Sequence, residues 1–337
     1  MTVLLAACYA ASVNRRQIRW QLVAAGLALQ LVMGILLLNV PWLDQAVGAG
    51  ARLFVRILGY AAEGSILIFG DVASDPSMGG VFAFRVLPAI IFFAALASLL
   101  FHLGILQKIV WGFAWVMSRT MRLSGAESLA TAANVFVGQT EAPLCVKPYL
   151  ASMSRSEIFL LMTGGMATVS GGTMAAYIGM VGELAPALQE LFGKQLILAS
   201  LLSAPAAVVA AKIVVPETQP VDSTLRAQVK PETINSFDAL VQGTASGLQL
   251  ALIIGAILIV FTGLIAGLND LTANWLGNVT GLNAWASELT DGRYEAFTLQ
   301  FLLGLPGAAV AWLLGIDSPN LITVGQLLGV KTVLNEF

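Results

Sequence analysis

The residues best able to do chemistry in this chain sit together in an apolar stretch, at Gly138-Gln139-Thr140-Glu141-Ala142-Pro143. Gln139 offers amide donors and an acceptor, Thr140 a hydroxyl, and Glu141 a carboxylate that only accepts when ionised. A second acid-bearing group, Asn335-Glu336-Phe337, stands at the end of the sequence. Neither group is joined by a histidine partner, a reactive cysteine pair, a zincin spacing or a serine elbow. The chemistry on offer is therefore recognition of a solute or an ion, and the chain is not expected to be an enzyme.

The elements that position these residues must live in lipid. Of 337 residues, 58% are hydrophobic and only 11% are charged, where a soluble domain carries about 25% charged residues. So little charge could not cover the chain's surface in water, and the lipid bilayer is its expected partner. A net charge of −2 and a pI near 5.5 leave no electrostatic footprint for nucleic acid. Cys8 and Cys145 read as small buried hydrophobes, and His102, the only histidine, as structural.

Five runs are long enough to cross: Trp20–Val40, Val86–Gly104, Ile158–Val181, Leu196–Val215 and Ser246–Gly267. Leu43–Phe69 and Ile105–Arg122 are amphipathic and are expected along the interface. Arg15, Arg16 and Arg19 place the start of the first span in the cytoplasm. Lys108–Arg122, Lys147–Arg155 and the hydrophilic linker Pro216–Pro231 then return to that side, and the acidic loop Asn269–Glu295 falls outside. Arg52, Arg56 and Arg85 run against this assignment, since they too would lie outside. Glu141 and Glu336 follow the helix starts at Ser124-Gly-Ala-Glu127 and Ser318-Pro319 at nearly equal spacing. The two halves thus have the pattern of an inverted repeat, which places substrate near the midplane; chance similarity of two apolar halves is the alternative.

From Ala126 to Val137 there are about 12 residues, or ~18 Å of helix, too short to cross, and Pro143 then breaks the backbone. A second short arm runs to Leu150, and Ser154-Arg-Ser-Glu157 caps the next helix. The expectation is a re-entrant hairpin whose polar tip lies in protein or a wet cavity. A glutamate at that depth needs substrate hydroxyls, an ion or a basic residue; otherwise Glu141 is a solvated loop residue. The run Met162–Thr173, with four glycines, Thr168 and Ser170, fits helix packing through small residues and equally a broken helix with freed carbonyls.

These residues resemble the concentrative nucleoside transporter family. The likeness is carried, in family order, by Phe84-Arg-Val-Leu-Pro88, Ala132–Pro143, Gly164-Gly-Met-Ala-Thr168, Pro216-Glu-Thr218, Gly247-Leu-Gln-Leu-Ala251 and Leu328–Phe337. The resemblance implies an all-α polytopic membrane protein with inverted repeats, re-entrant helix-turn-helix hairpins and a broken transmembrane helix, assembled as a homotrimer. It implies nucleobase binding by Gln139, Thr140 and Glu141, ribose binding by Glu336, and Thr173 lining the base pocket. The Na+ site it implies uses the Asn134 side chain, the Val137 carbonyl, the Thr168 hydroxyl and carbonyl, and the Val169 carbonyl. The implied activity is cation-coupled symport of nucleosides across a bacterial inner membrane by alternating access. Na+ is the expected coupling ion; a proton-coupled permease and a non-transporting gate or nucleoside-recognition protein are the alternatives.

The expected organisation is scaffold helices over 1–104 and a first transport repeat over 105–215, holding the interfacial helix, hairpin 125–151, broken helix 157–181 and helix 196–215. A cytoplasmic linker follows over 216–231, then a scaffold helix with an external loop over 232–295, and the start of a second transport repeat over 296–337. The family's chain continues past the second glutamate tip through the rest of a hairpin and two helices. The second repeat is therefore expected to be incomplete here, the first helix clipped, and the chain a fragment unable to transport by itself.

Overall fold

The computed structural model describes residues 2–74, 82–136, 142–219, 233–290 and 292–333. Regular structure among them is helical throughout. The chain forms two compact units, one of Leu5–Ala251 and one of Met1–Leu4 with Leu252–Phe337. Among the described residues, five helical stretches are long and apolar enough to cross a membrane, and they overlap the five runs expected from sequence.

A short helix α1 (Thr2–Ala10) precedes α2 (Trp20–Asn39), which contains no charged residue and buries only Leu22, Val23 and Gly26. A helix apolar on every side with most of that surface uncovered is one built for hydrocarbon. Gly26 marks its close approach to the rest of the unit: a Cβ there would lie 2.5 Å from Met121 Cε. Helix α3 (Pro41–Phe69) begins on proline, whose missing N–H suits the first position. Gly48, Ala51, Leu58, Ala61 and Ser65 are buried on one of its faces, while Arg52, Arg56 and Glu63 are exposed. That is the amphipathic pattern expected for Leu43–Phe69. Past the one-turn α4 (Asp71–Ser74), α5 (Phe82–His102) and α6 (Ile105–Met121) are joined at Gly104, whose φ of +73° suits glycine. The α6 stripe Leu106, Val110, Ala114, Met117 and Met121 is buried, with Lys108 and Arg119 outside it.

Helix α7 (Gly125–Phe136) is buried almost along its whole length. Its return arm is irregular, a single turn α8 (Ala142–Cys145) and a 3-10 segment Lys147–Ser152, because Pro143 and Pro148 each remove a backbone donor. The next span is split into α9 (Arg155–Ala167) and α10 (Gly171–Leu184). Helix α11 (Gln189–Val214) returns, and α12 (Ser236–Asn269) follows. Gly243 and Gly247 let α12 meet α5 at backbone distance: Cβ atoms there would lie 2.8 Å from Ala95 Cα and 2.7 Å from Ala94 Cβ.

The sidedness inferred from loop charge has a counterpart in space. Arg19 before α2, Arg122 after α6, Glu127 at the start of α7, Lys212 at the end of α11 and Glu217 beyond it line one pocket. Ser154, at the start of α9, bonds Glu217 there. Entry to and exit from the hairpin therefore share one end of the unit, as re-entrance requires. At α3 and the start of α11, Arg52 pairs with Glu190 at 2.8 Å and Lys194 with Asp44 at 2.5 Å.

In the other unit, much of the segment Asn269–Glu295, expected as a loop, is helical. The chain continues with i→i+5 bonding over Asp270–Gly277, then as α13 (Asn278–Thr280) and α14 (Leu282–Leu289). Leu271, Trp275, Leu276 and Val279 keep a helical spacing that Asp270, Asn274 and Asn278 disguise. Two asparagines from this stretch hold the segment that follows: Asn269 Oδ1 accepts from the Leu299 amide at 2.9 Å and Asn283 Oδ1 from the Phe297 amide at 2.8 Å. Helix α15 (Leu299–Leu313) is capped by the Thr298 side chain, and α16 (Leu321–Val333) follows a 3-10 turn, Ser318–Asn320. Asp317 flanks that turn without a side-chain cap bond, so Ser318 lies inside it rather than capping it. Helices α15 and α16 touch through glycine; a Cβ at Gly307 would lie 2.6 Å from the Gly325 carbonyl carbon. The order of an amphipathic or apolar helix and a short helix, α6–α7, thus recurs as α15–α16.

Candidate cation and solute site

Helix α7 starts with a capping box. The Ser124 hydroxyl accepts from the Glu127 amide and Glu127 Oε2 from the Ser124 amide, both at 3.1 Å. This fixes the register that brings Asn134, fully buried, against α9. Asn134 Nδ2 donates to the Leu161 carbonyl at 3.2 Å. A Cβ at Gly164 would lie 3.1 Å from that same Nδ2, and one at Gly171 would lie 3.4 Å from the Phe136 carbonyl oxygen. Both meanings of the glycine-rich run hold: the glycines admit the end of α7, and the helix breaks beside it.

The break itself is extended backbone. Thr168 has φ −113° and ψ 155°, and Ser170, with φ −68° and ψ 157°, caps α10. The Thr168 hydroxyl lies 3.0 Å from the Asn134 carbonyl and 2.9 Å from the Gly164 carbonyl. Ser200 on α11 spans Val169, its hydroxyl 3.4 Å from both the amide and the carbonyl oxygen. Thr173 lies in the first turn of α10, its amide donating to the Ser170 hydroxyl at 3.2 Å and its own hydroxyl accepting from Ser170 at 3.0 Å.

Among the described residues, the buried Asn134 Oδ1 has no hydrogen-bond partner. An orphaned buried oxygen costs about 1–3 kcal/mol unless something satisfies it. Asn134, the Thr168 hydroxyl and the backbone carbonyls at the break are all hard oxygen donors, the kind that suits an alkali cation. Of the residues expected from sequence, Asn134, Thr168 and Val169 are brought together and Thr173 stands at the same break. Val137, Gln139, Thr140, Glu141 and Glu336 lie outside the described residues.

A charged cluster at the foot of α7 went unread in the sequence. The Lys212 ammonium contacts Glu127 Oε1, donates to the Ser156 hydroxyl at 2.8 Å and lies 3.5 Å from Glu217 Oε2. Lys212, Glu127 and Glu217 are all buried. Burial opposes ionisation of Glu217, but the Ser154 hydroxyl, the Gln219 and Thr218 amides and the Lys212 charge together hold its carboxyl below the usual value. The available signal was a lysine inside an otherwise apolar span, which in a membrane helix implies a partner.

Comparison with known proteins places this arrangement. Family models described as Na+ dependent nucleoside transporter N-terminus and C-terminus match residues 1–72 and 195–337, and one described as nucleoside recognition matches residues 83–184. An uncharacterized transporter of Haemophilus influenzae is 38% identical over 341 residues, covering 100% of this chain and 76% of that protein. The nucleoside permease NupC of Helicobacter pylori is 36% identical, again over 100% of this chain and 76% of the relative. The structure of CNTnw in an inward-facing substrate-bound state aligns with a TM-score of 0.85 at 33% identity, covering 100% of this chain and 77% of that one. A hairpin arm closing on a broken helix, matched to relatives along the whole chain, has one meaning: the chain belongs to the concentrative nucleoside transporter family and is a membrane transporter, not an enzyme.

Proposed function

We propose that the protein is a symporter that moves nucleosides with Na+ across a bacterial inner membrane by alternating access. The observation that carries the Na+ assignment is the buried Asn134 Oδ1, without a hydrogen-bond partner among the described residues, on the residue whose backbone carbonyl the Thr168 hydroxyl reaches at the helix break. A small hard cation held by Asn134, Thr168 and the carbonyls of Val137 and Val169 satisfies that oxygen. Because Thr168 binds the Asn134 backbone, cation occupancy ties the hairpin arm to the broken helix. The nucleoside contacts fall to Gln139, Thr140 and Glu141 at the hairpin tip, to Thr173, and to Glu336, whose carboxylate suits ribose hydroxyls. Residues 105–215 would move as the first transport repeat, against scaffold helices that assemble as a homotrimer.

Uptake of radiolabelled uridine by the full-length protein tests this in cells lacking their own nucleoside uptake. Uptake driven by an inward Na+ gradient supports the assignment. Uptake that follows a proton gradient and ignores Na+ reassigns the coupling ion to H+. Uridine binding without uptake under either gradient would make the protein a recognition module instead.

A further inference from the structure

We propose that Lys212 is a positioning residue for the cation site, setting its geometry from the opposite ends of the two helices that build it. This rests on the Na+ assignment above. One ammonium reaches two helix starts: Glu127 in the first turn of α7 and Ser156 in the first turn of α9. The same two helices deliver Asn134 and, at its far end, Thr168 to the cation group. There they meet again, through Asn134 Nδ2 to Leu161 and the Thr168 hydroxyl to Asn134. Glu127 and Asn134 are seven residues apart, two turns on one face of α7. The Asn134 face is therefore fixed at its foot by charge and at its head by hydrogen bonds. Glu217 completes the anchor: its carboxylate takes the Ser154 hydroxyl at 2.6 Å and lies 3.5 Å from Lys212.

Stability alone is a poor reason for this cluster. Apolar residues of equal volume usually hold a buried site at least as well as an ion pair. What an ammonium shared between two helix starts adds is register. A rotation or slide of α7 against α9 moves Glu127 and Ser156 apart around Lys212, and it alters the separation of the Asn134 and Thr168 oxygens equally. Cation affinity and the preference for one ionic radius over another then depend on Lys212, although it is remote from the ion.

The test is radiolabelled uridine uptake into proteoliposomes driven by Na+ or by Li+, for the full-length protein as wild type, Lys212→Met and Lys212→Arg. The expected result for Lys212→Met is a rise of about tenfold in half-saturating Na+, as for loss of a residue supporting a metal ligand. A changed Na+ to Li+ ratio is expected with it, while KM for uridine at saturating Na+ moves by less than about twofold. A residue with a merely structural role would lower the amount of folded protein and Vmax and leave the Na+ to Li+ ratio where it was. If Lys212→Met does not fold, Lys212→Arg, which keeps the charge and changes its shape, carries the same readouts. Wild type without Na+ dependence overturns the Na+ assignment and this inference with it. Wild type with Na+ dependence and variants with unchanged half-saturation and ratio overturn this inference alone.

Discussion

The Thr168 hydroxyl lies 3.0 Å from the backbone carbonyl of Asn134, which ties the last turn of α7 to the break in its neighbour rather than to either helical half. A threonine in mid-helix usually bonds only its own i−4 carbonyl. Thr168 reaches that one too, Gly164 at 2.9 Å, so a single hydroxyl hydrogen serves two acceptors on different elements. Small changes at this residue should therefore be read by the proposed cation site.

Replacing Thr168 with valine keeps the shape and removes the hydroxyl. Half-saturating Na+ should rise roughly fivefold to thirtyfold, the equivalent of about 1–2 kcal/mol for a lost hydrogen bond or ligand. Thr168→Ser should stay close to wild type. Equal Na+ dependence in the valine and serine variants would remove the hydroxyl from the site.

Asn134→Leu should separate stability from ion binding. In Na+-free buffer the variant should melt within a few degrees of wild type, because an unsatisfied buried oxygen is removed along with one hydrogen bond to Leu161. Added Na+ should raise the melting temperature of wild type and leave the variant unchanged. A Na+-induced shift that survives in Asn134→Leu would place the ion elsewhere.

Two glycines should respond in opposite ways. Gly307→Val brings a side chain into the backbone of Gly325 and should destabilise the α15–α16 pair by about 1–3 kcal/mol or more. Gly50, in α3, has nothing within 4 Å of an added Cβ, so Gly50→Ala should be neutral or stabilising by about 0.5–1 kcal/mol. Thermal melts in detergent compare them directly, and a well-folded Gly307→Val would refute the close contact.

The acid limb of stability should report on Glu217. Its carboxyl titrates below the ordinary value of 4.5 in the folded chain, so the stability it contributes is present at neutral pH and is lost as pH falls through its folded value. The gap between wild type and Glu217→Gln should be widest at neutral pH and should close in acid. A gap that widens on acidification would reverse the sign of the shift.

Much of the architecture was legible because its signals are local. Ser124 with Glu127 and Ser154 with Glu157 are three residues apart, and both form the reciprocal bonds expected of a capping box. The glycines around Thr168 fitted a break as well as close packing, and uncharged length announced the spans. Two features escaped for different reasons. Asn269–Glu295 carries enough asparagine, aspartate and glutamate to look like a loop, and only the Leu271–Val279 spacing betrays the helix. Lys212 finds its partners 85 and 56 residues away. A lysine in an apolar helix says that a counter-charge exists; it does not say which of several glutamates supplies it.

That separation has a consequence for synthesis. Glu127 and Ser156 leave the ribosome well before Lys212 does, and at about 5–20 residues per second the 85-residue interval lasts roughly 4–17 seconds. For that time the foot of the hairpin holds a carboxylate without its counter-ion. The hairpin can begin to form as α7 emerges, but it is locked only when the end of α11 arrives. Synthesis of the end of α11 is therefore the step that completes the charged foot of the hairpin.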